Sequence, residues 1–325
     1  MMLYDLIEND LKMKTGFVSD ILSSPEEPRR WTIPKRNGGI RFIYHPSAKR
    51  KVLQYWLLQR VFCLIPLNDA AFAFIKNRSI KDNALRHSKS KNKYFVKADI
   101  KDFFPSINFD DFLYSFNRYR ADINFPKEYD NDLLRMIREV CFIGPKKTLP
   151  IGFPTSPFIA NFIARELDEI IHLELKNIND ANPIYTRYAD DLVISSCKKR
   201  MHSELISIIR KSINKCNASF SLNEKKLKIC SSSGGSAIIT GLRICHDGHL
   251  TVHKKMKDKI RLYLSHINKK GLEESEINIL SGYLAYVKNA DANFYTKISR
   301  KHFKEIKEIE NHYTYADLKP HDEVS

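Results

Sequence analysis

The chain has 325 residues, enough for one large domain or two to three lobes with a real core. Hydrophobic residues make up 43% and charged residues 28%, which excludes a disordered chain. The 54 Lys and Arg against 38 Asp and Glu leave a net charge of +16. Such a surplus favours a polyanionic partner, nucleic acid first and an anionic membrane surface second.

In chain order, "MMLYDLIENDLK" carries acids early and shows no signal peptide; residues 1–24 read as short amphipathic helices. "RRWTIPKRNGGIRFIYHPS" gives strand, Asn37-Gly38 turn and strand, a strong hairpin signal. "AKRKVLQYWLLQRVFCLI" has helical periodicity with a basic start. Its apolar stretch "LLQRVFCLIPL" is interrupted by Arg60 and is too short to span a bilayer. "YFVKADIKDFFPSINFDDFLYSF" begins as a strand with Asp99 near its end and resumes as a helix after Pro105. "LLRMIREVCF" is helical, "IGPKKTLPIGFPTSP" is a Gly/Pro-rich loop, and one helix is expected through "FIANFIARELDEIIHLEL".

"PIYTRYADDLVISS", residues 183–196, places two aspartates at the tip of a hairpin built from strong strand formers. Two-residue turns usually take Gly or Asn, and neither is present. A helix is expected near 201–215, then short strands around 219–230 and 236–253. "HKKMKDKIRLYLSHINKK" repeats apolar residues at Met256, Ile260, Leu264 and Ile267, with Lys254, Lys257 and Arg261 on a neighbouring face. Read alone, that face is simply solvated. The change in pattern puts a domain boundary near 253.

Six cysteines without a C-x-x-C pair fit reduced thiols, and the expected location is cytoplasmic, with no membrane partner. "CHDGHLTVH" offers Cys245, His246, His249 and His253 as zinc ligands, but Asp247-Gly248 makes a good two-residue turn and the turn reading is preferred.

Three carboxylates brought together need cations to stay ionised. Asp99 at a strand end and Asp190 and Asp191 at a hairpin tip can hold two Mg²⁺ ions, with Mn²⁺ as a substitute. Such a pair, about 3.5–4 Å apart, clamps the attacking and leaving oxygens of an in-line phosphoryl displacement. Each motif is weak alone, and turn decoration is the plain reading of "ADD".

Taken together, the segments resemble the reverse transcriptases. "YADD" between apolar strands is similar to their polymerase motif, "VKADIKDFFPSI" to the strand bearing the first metal aspartate, and "LPIGFPTSP" to the loop LPQGxPxSP. "LNEKKLKI" resembles the segment with a lysine near the triphosphate, and "IPKRNGGIRFIYHPSAKRKVLQYWL" the fingers hairpin of the bacterial enzymes. Within that group the likeness is to retron enzymes: "DNALRH" carries N-A-x-x-H, Asn83 to His87, and "IITGL" stands where they have V-T-G-L. Without that resemblance Asn83 is a helix cap and His87 an exposed histidine. Ile151 replaces the usual glutamine, and Leu227 the threonine that often follows the lysine.

The resemblance implies an α+β right-hand polymerase fold: an N-terminal helical extension over 1–29, fingers and an antiparallel-sheet palm over 30–253, and a helical thumb with a C-terminal tail over 254–325. It implies metal binding by Asp99, Asp190, Asp191 and the Ile100 carbonyl. Phe104 would sit under the sugar and exclude a 2′-OH, with Gly152 close to nucleotide or template. Lys35, Arg41 and Lys226 would face the triphosphate, Asn83 and His87 the RNA, and Lys254, Lys257 and Arg261 the template–primer backbone. The implied activity is RNA-directed DNA synthesis from deoxynucleoside triphosphates on a cognate structured non-coding RNA. It would start from a 2′-OH, leave a branched RNA–DNA (msDNA), and serve antiphage defence with an effector protein. A group II intron or abortive-infection reverse transcriptase is the alternative within the class. A polymerase-shaped RNA scaffold for a toxin is the alternative outside it, and has no use for three crowded carboxylates.

Overall fold

The computed structural model describes residues 2–24, 26–35, 38–90, 92–178 and 182–316. Asn37, expected to open the hairpin turn, lies outside them, as does the tail from 317. The chain divides into two compact units, Met1–Arg78 with Phe95–Ile229, and Ser79–Tyr94 with Cys230–Ser325.

The first unit opens with helices α1 (Leu3–Leu11) and α2 (Phe17–Ser23). Glu8 is buried between them and accepts from the N–H groups of Gly16 and Val18, which closes the open start of α2. Strands β1 (Arg29–Pro34) and β2 (Ile40–His45) pair antiparallel in the expected hairpin, with Trp31 opposite Ile43. Trp31, Ile33, Ile40 and Phe42 stay exposed on it. Ser47 caps α3 (Ala48–Arg60) by accepting from the Arg50 N–H.

Strand β3 (Tyr94–Asp99) leads to the short helix α5 (Phe103–Ser106), then α6 (Phe109–Arg118) and α7 (Asp130–Cys141). Instead of one helix over 157–175, α8 (Ser156–Ile163) and α9 (Arg165–Lys176) are separate and meet at Ala164. Phe112, Phe116, Phe142 and Phe162 interlock at the centre of the core, which apolar residues of all these helices share. Strands β4 (Ile184–Tyr188) and β5 (Asp191–Ser196) follow, then α10 (His202–Lys215). Strand β6 is only Lys228–Ser231, because a 3₁₀ turn occupies Glu224–Lys226 where strand was expected. The sheet order is β4-β5-β3-β6, so the strand that ends in Asp99 neighbours the one that begins with Asp191.

The second unit contains α4 (Ile80–Ser88), a three-stranded sheet of β7 (Ile238–Ile239), β8 (Leu242–Ile244) and β9 (Leu250–Val252), and helices α11 (Lys254–Lys270), α12 (Glu274–Ala290), α13 (Ala292–Lys301) and α14 (Phe303–Ala316). Ile260 and Leu264 of α11 are fully buried, as the periodicity required. Thr240-Gly241 forms the tight turn between β7 and β8, both residues at positive φ, and the Thr240 hydroxyl donates to the Ile80 carbonyl at 2.8 Å. Helix α4, which carries the motif at 83–87, thus packs against the β7–β8 turn that carries the one at 238–242. Among the described residues no helix is long and apolar enough to cross a membrane.

Candidate active site

Tyr188 pairs with Asp191, so Ala189 and Asp190 make a two-residue turn. Such turns need positive φ at a central position, the usual reason for glycine. Ala189 supplies it at φ 56, with the smallest side chain that still carries a Cβ. The Ile100 N–H donates to the Asp190 carbonyl at 2.9 Å, which ties this turn to the end of β3. Backbone alone therefore places Asp190 and Asp191 beside Asp99.

Asp99 is 5% exposed. Its Oδ1 accepts from Asn223 Nδ2 at 3.0 Å and its Oδ2 from Lys226 Nζ at 2.7 Å, while the Asn223 N–H donates to the Asp99 carbonyl at 2.8 Å. Burial, then the charges of Asp191 and Asp99, push the Asp190 carboxyl up to about 6. Solvent reaches Asp191, yet the protein around it, with Asp99, raises its carboxyl as well, against the pull of Lys97 and Lys226. The hydrogen bond to Asp99 holds the Lys226 ammonium more firmly protonated than usual.

This all-carboxylate set, whose members raise one another's proton affinity, fits hard divalent cations, which take oxygen ligands and relieve the repulsion. The three carboxylates do not offer oxygens all within 4.8 Å of one another, and the Lys226 ammonium supplies the positive charge on Asp99. The Ile100 side chain is buried.

Beneath the turn lies a buried polar network. Arg187, 0% exposed on β4, makes two bonds to Asp168 of α9, at 2.9 and 2.8 Å, and one to Asn161 Oδ1 of α8 at 2.8 Å. It also reaches the Ala189 carbonyl at 3.4 Å. Tyr185 donates to Asp168 at 2.7 Å, and burial raises its hydroxyl well above the ordinary phenol range. Bidentate pairing of guanidinium and carboxylate is what makes such a charge pair tolerable without water. Sequence reasoning missed these residues, and Asn223 with them; the available signal was a charged residue within an otherwise apolar strand.

Of the adjacent phenylalanines, Phe103 is buried and stacks on Phe220 at 5.5 Å, whereas Phe104 packs against the core but stays partly exposed. Gly152 has φ 108, and a Cβ there would fall 2.5 Å from the Tyr44 carbonyl oxygen. Its lack of a side chain is used against β2, where the Tyr44 N–H also donates to the Ile151 carbonyl at 2.8 Å. Lys35 and Arg41 stand exposed on the β1–β2 hairpin.

Asn83, His87, Lys254, Lys257 and Arg261 belong to the second unit. Ser79, not Asn83, caps α4, and Asn83 and His87 are both 0% exposed. Neither presents surface to RNA in this structure, a correction to the expected direct contact. They lie one turn apart on the inward face of α4, where hydropathy gave no sign of burial. Burial pushes the His87 imidazole down to about 3, and among the described residues neither amide atom of Asn83 has a hydrogen-bond partner. On α11, Lys257 Nζ pairs with Asp291 at 3.0 Å and lies over the Phe294 ring, and Arg261 pairs with Asp258 at 2.9 Å. Lys254 is exposed.

The "CHDGHLTVH" hairpin turn forms, but not as the expected two-residue Asp247-Gly248 turn. The Cys245 N–H donates to the His249 carbonyl and the Gly248 N–H to the Cys245 carbonyl, both at 2.9 Å, so His246–Gly248 make a three-residue loop. That loop brings ligand atoms of Cys245, Asp247 and His249 within 4.8 Å of one another. His249 Nδ1 already pairs with Asp247 at 2.6 Å, and burial raises the Cys245 thiol. His253 instead caps α11, and His246 Nδ1 faces the Ser233 hydroxyl at 3.4 Å.

Residues 33–281 match a family model described as reverse transcriptase (RNA-dependent DNA polymerase). The chain is 53% identical to the retron Ec73 reverse transcriptase of Escherichia coli, over 96% of this chain and 98% of that protein. It is 25% identical to the retron Ec83 reverse transcriptase of the same organism, over 84% and 86%. Among solved structures, apo telomerase from Candida tropicalis superimposes with a TM-score of 0.52 at 14% identity, covering 91% of this chain and 64% of that one. That likeness and the mixed α and antiparallel β content agree with a right-hand polymerase fold.

Proposed function

The chain belongs to the retron reverse transcriptases and is an RNA-directed DNA polymerase, and from that premise we propose that it copies one cognate structured non-coding RNA. In this reading synthesis starts from a 2′-OH within the RNA and leaves a branched RNA–DNA (msDNA), in the cytoplasm, as part of an antiphage system with an effector protein. The observation that carries the catalytic part is the convergence of Asp99, Asp190 and Asp191, with Lys226 bonded to the first.

Residues 30–253 would act as fingers and palm, 254–325 as thumb and tail, and 1–29 as an extension. Asp99, Asp190, Asp191 and the Ile100 carbonyl would hold two Mg²⁺ ions, replaceable by Mn²⁺, which when bound supply charge for the developing phosphorane and activate the attacking hydroxyl. Lys226 balances the charge of Asp99 until an incoming triphosphate competes for its ammonium. Lys35 and Arg41 would meet that triphosphate, Phe104 the sugar, Gly152 the nucleotide–template side, and Lys254, Lys257 and Arg261 the duplex backbone. Asn83 and His87 would affect RNA recognition through the shape of α4.

The test is to purify wild type and Asp191→Asn and sequence the nucleic acid that accompanies each. The expected result is one structured RNA with both, and DNA joined to it through a 2′-linkage with wild type only. Unrelated RNAs, or DNA made by the variant at wild-type level, would overturn the reading.

A further inference from the structure

Phe74 has φ 61, a left-handed backbone that a bulky aromatic residue rarely adopts, and its side chain is 55% exposed. Neither strain nor exposure is repaid locally by burial. The segment around it is nevertheless over-determined. Arg78 donates to the Asp69 and Ala71 carbonyls at 2.8 and 2.6 Å. Arg187 receives the Phe72 N–H on its carbonyl at 2.8 Å and donates its own N–H to the Ala70 carbonyl at 2.7 Å. Asn161 Nδ2 donates to the Ala73 carbonyl at 2.8 Å. Strain held in place by this many anchors points to a use for the side chain it presents.

Its position indicates the use. Ala71 bridges Arg187 in parallel sense, so the chain that leads to Phe74 advances alongside the strand that leads to Asp190. Asn161 bonds both Ala73 and Arg187, and Arg187 reaches Ala189, which links the residue before Phe74 to the residue before Asp190. The Phe74 ring then stands edge to face with Phe104, centroids 6.1 Å apart at 62°. Phe104 is the ring read above as the one facing the sugar.

We propose that Phe74 is a second specificity-determining residue, forming with Phe104 an aromatic corner that closes on the sugar edge of the incoming nucleotide and rejects a 2′-OH. The inference rests on the sugar-gate reading of Phe104. A corner of two rings restricts the space for an added hydroxyl from two directions, whereas one ring leaves the sugar room to tilt.

The experiment compares incorporation efficiencies for a ribonucleotide and its deoxyribonucleotide on an annealed primer. The enzymes are wild type, Phe74→Ala, Phe74→Asn, Phe74→Tyr, Phe104→Ala and the Phe74→Ala/Phe104→Ala pair. Asn tolerates positive φ, so Phe74→Asn removes the ring while keeping the backbone, even where alanine perturbs folding. Phe74→Ala and Phe74→Asn should each relax discrimination about tenfold, and Phe74→Tyr should retain it. The double variant should relax it by less than the product of the single effects, because the rings form one wall. Relaxed discrimination in Phe104→Ala with unchanged discrimination in Phe74→Asn would overturn the role of Phe74 and leave the gate reading standing. Unchanged discrimination in both would overturn the gate itself and the corner with it.

Discussion

Lys226 Nζ and Asp99 Oδ2 lie 2.7 Å apart, a pairing that joins the best-buried acid of the cluster to a lysine whose side chain is still 54% exposed. The ammonium is therefore accessible to a triphosphate while it holds the acid. Lys226→Ala should lower kcat/KM for deoxynucleotides by about a hundredfold, as expected for loss of one electrostatic contact to the reacting phosphates. Lys226→Arg should recover only part of it, since a planar fork does not replace a point charge. Steady-state kinetics on a primed template check both, and wild-type efficiency in Lys226→Ala would remove the residue from the site.

Arg187 and Asp168 form a charge pair with no solvent access on either side. Arg187→Ala leaves a carboxylate buried and unpaired, and should destabilise the first unit by about 3–5 kcal/mol. Arg187→Met combined with Asp168→Leu should regain most of that loss while DNA synthesis stays impaired, because the Ala189 carbonyl has lost its partner. Urea unfolding measured beside primer extension separates the effects; a single variant within about 1 kcal/mol of wild type would contradict the burial argument.

His87 sets an acid limit. Its folded imidazole stays neutral down to about 3, whereas the unfolded chain takes up a proton below the ordinary value of 6.5. The unfolded state then binds more protons, so stability falls as pH drops from 6.5 towards 3, by up to about 1.4 kcal/mol per unit, and levels off below. Replacing the imidazole by a group that does not titrate there, His87→Gln, should flatten that part of the pH–stability curve. An unaltered curve in the variant would show that another group controls acid lability.

The basic face of α11 should divide by residue. Lys254→Ala should reduce the slope of log affinity against log salt by about 0.7–0.9 without changing the melting temperature. Lys257→Ala should also lower the melting temperature, because Asp291, which additionally bonds Thr251 and the Phe294 N–H, loses its cation. Duplex binding across a salt series, paired with thermal melts, makes the comparison; equal thermal effects would contradict it.

The acids and the strands that bear them were legible in the sequence because strand formers crowd around Asp190 and Asp191, and because Asp99 closes an apolar run. The hairpin at 29–45 was legible from its turn chemistry. What escaped has a common physical origin: polar residues turned inward. Asn83 and His87 sit four apart on one helix face, as buried leucines would, but their side chains give no hydropathy signal. Arg187 and Asp168 are invisible for the same reason, since a buried ion pair becomes recognisable only once both partners are placed. Phe74 was hidden differently, because its significance lies in a backbone angle that no residue pattern encodes. The break at Ala164 falls between a largely apolar, buried helix and an amphipathic one, with neither Gly nor Pro to mark it.

The bond from the Ile100 amide to the Asp190 carbonyl fixes the spacing of the catalytic turn without using any acidic side chain. Replacing the Asp190 or Asp191 side chain should therefore leave the shape of this turn unchanged. If the proposed function holds, such a variant should act as a decoy: produced beside the wild type, it should occupy the same RNA and withhold it from copying, in proportion to its abundance.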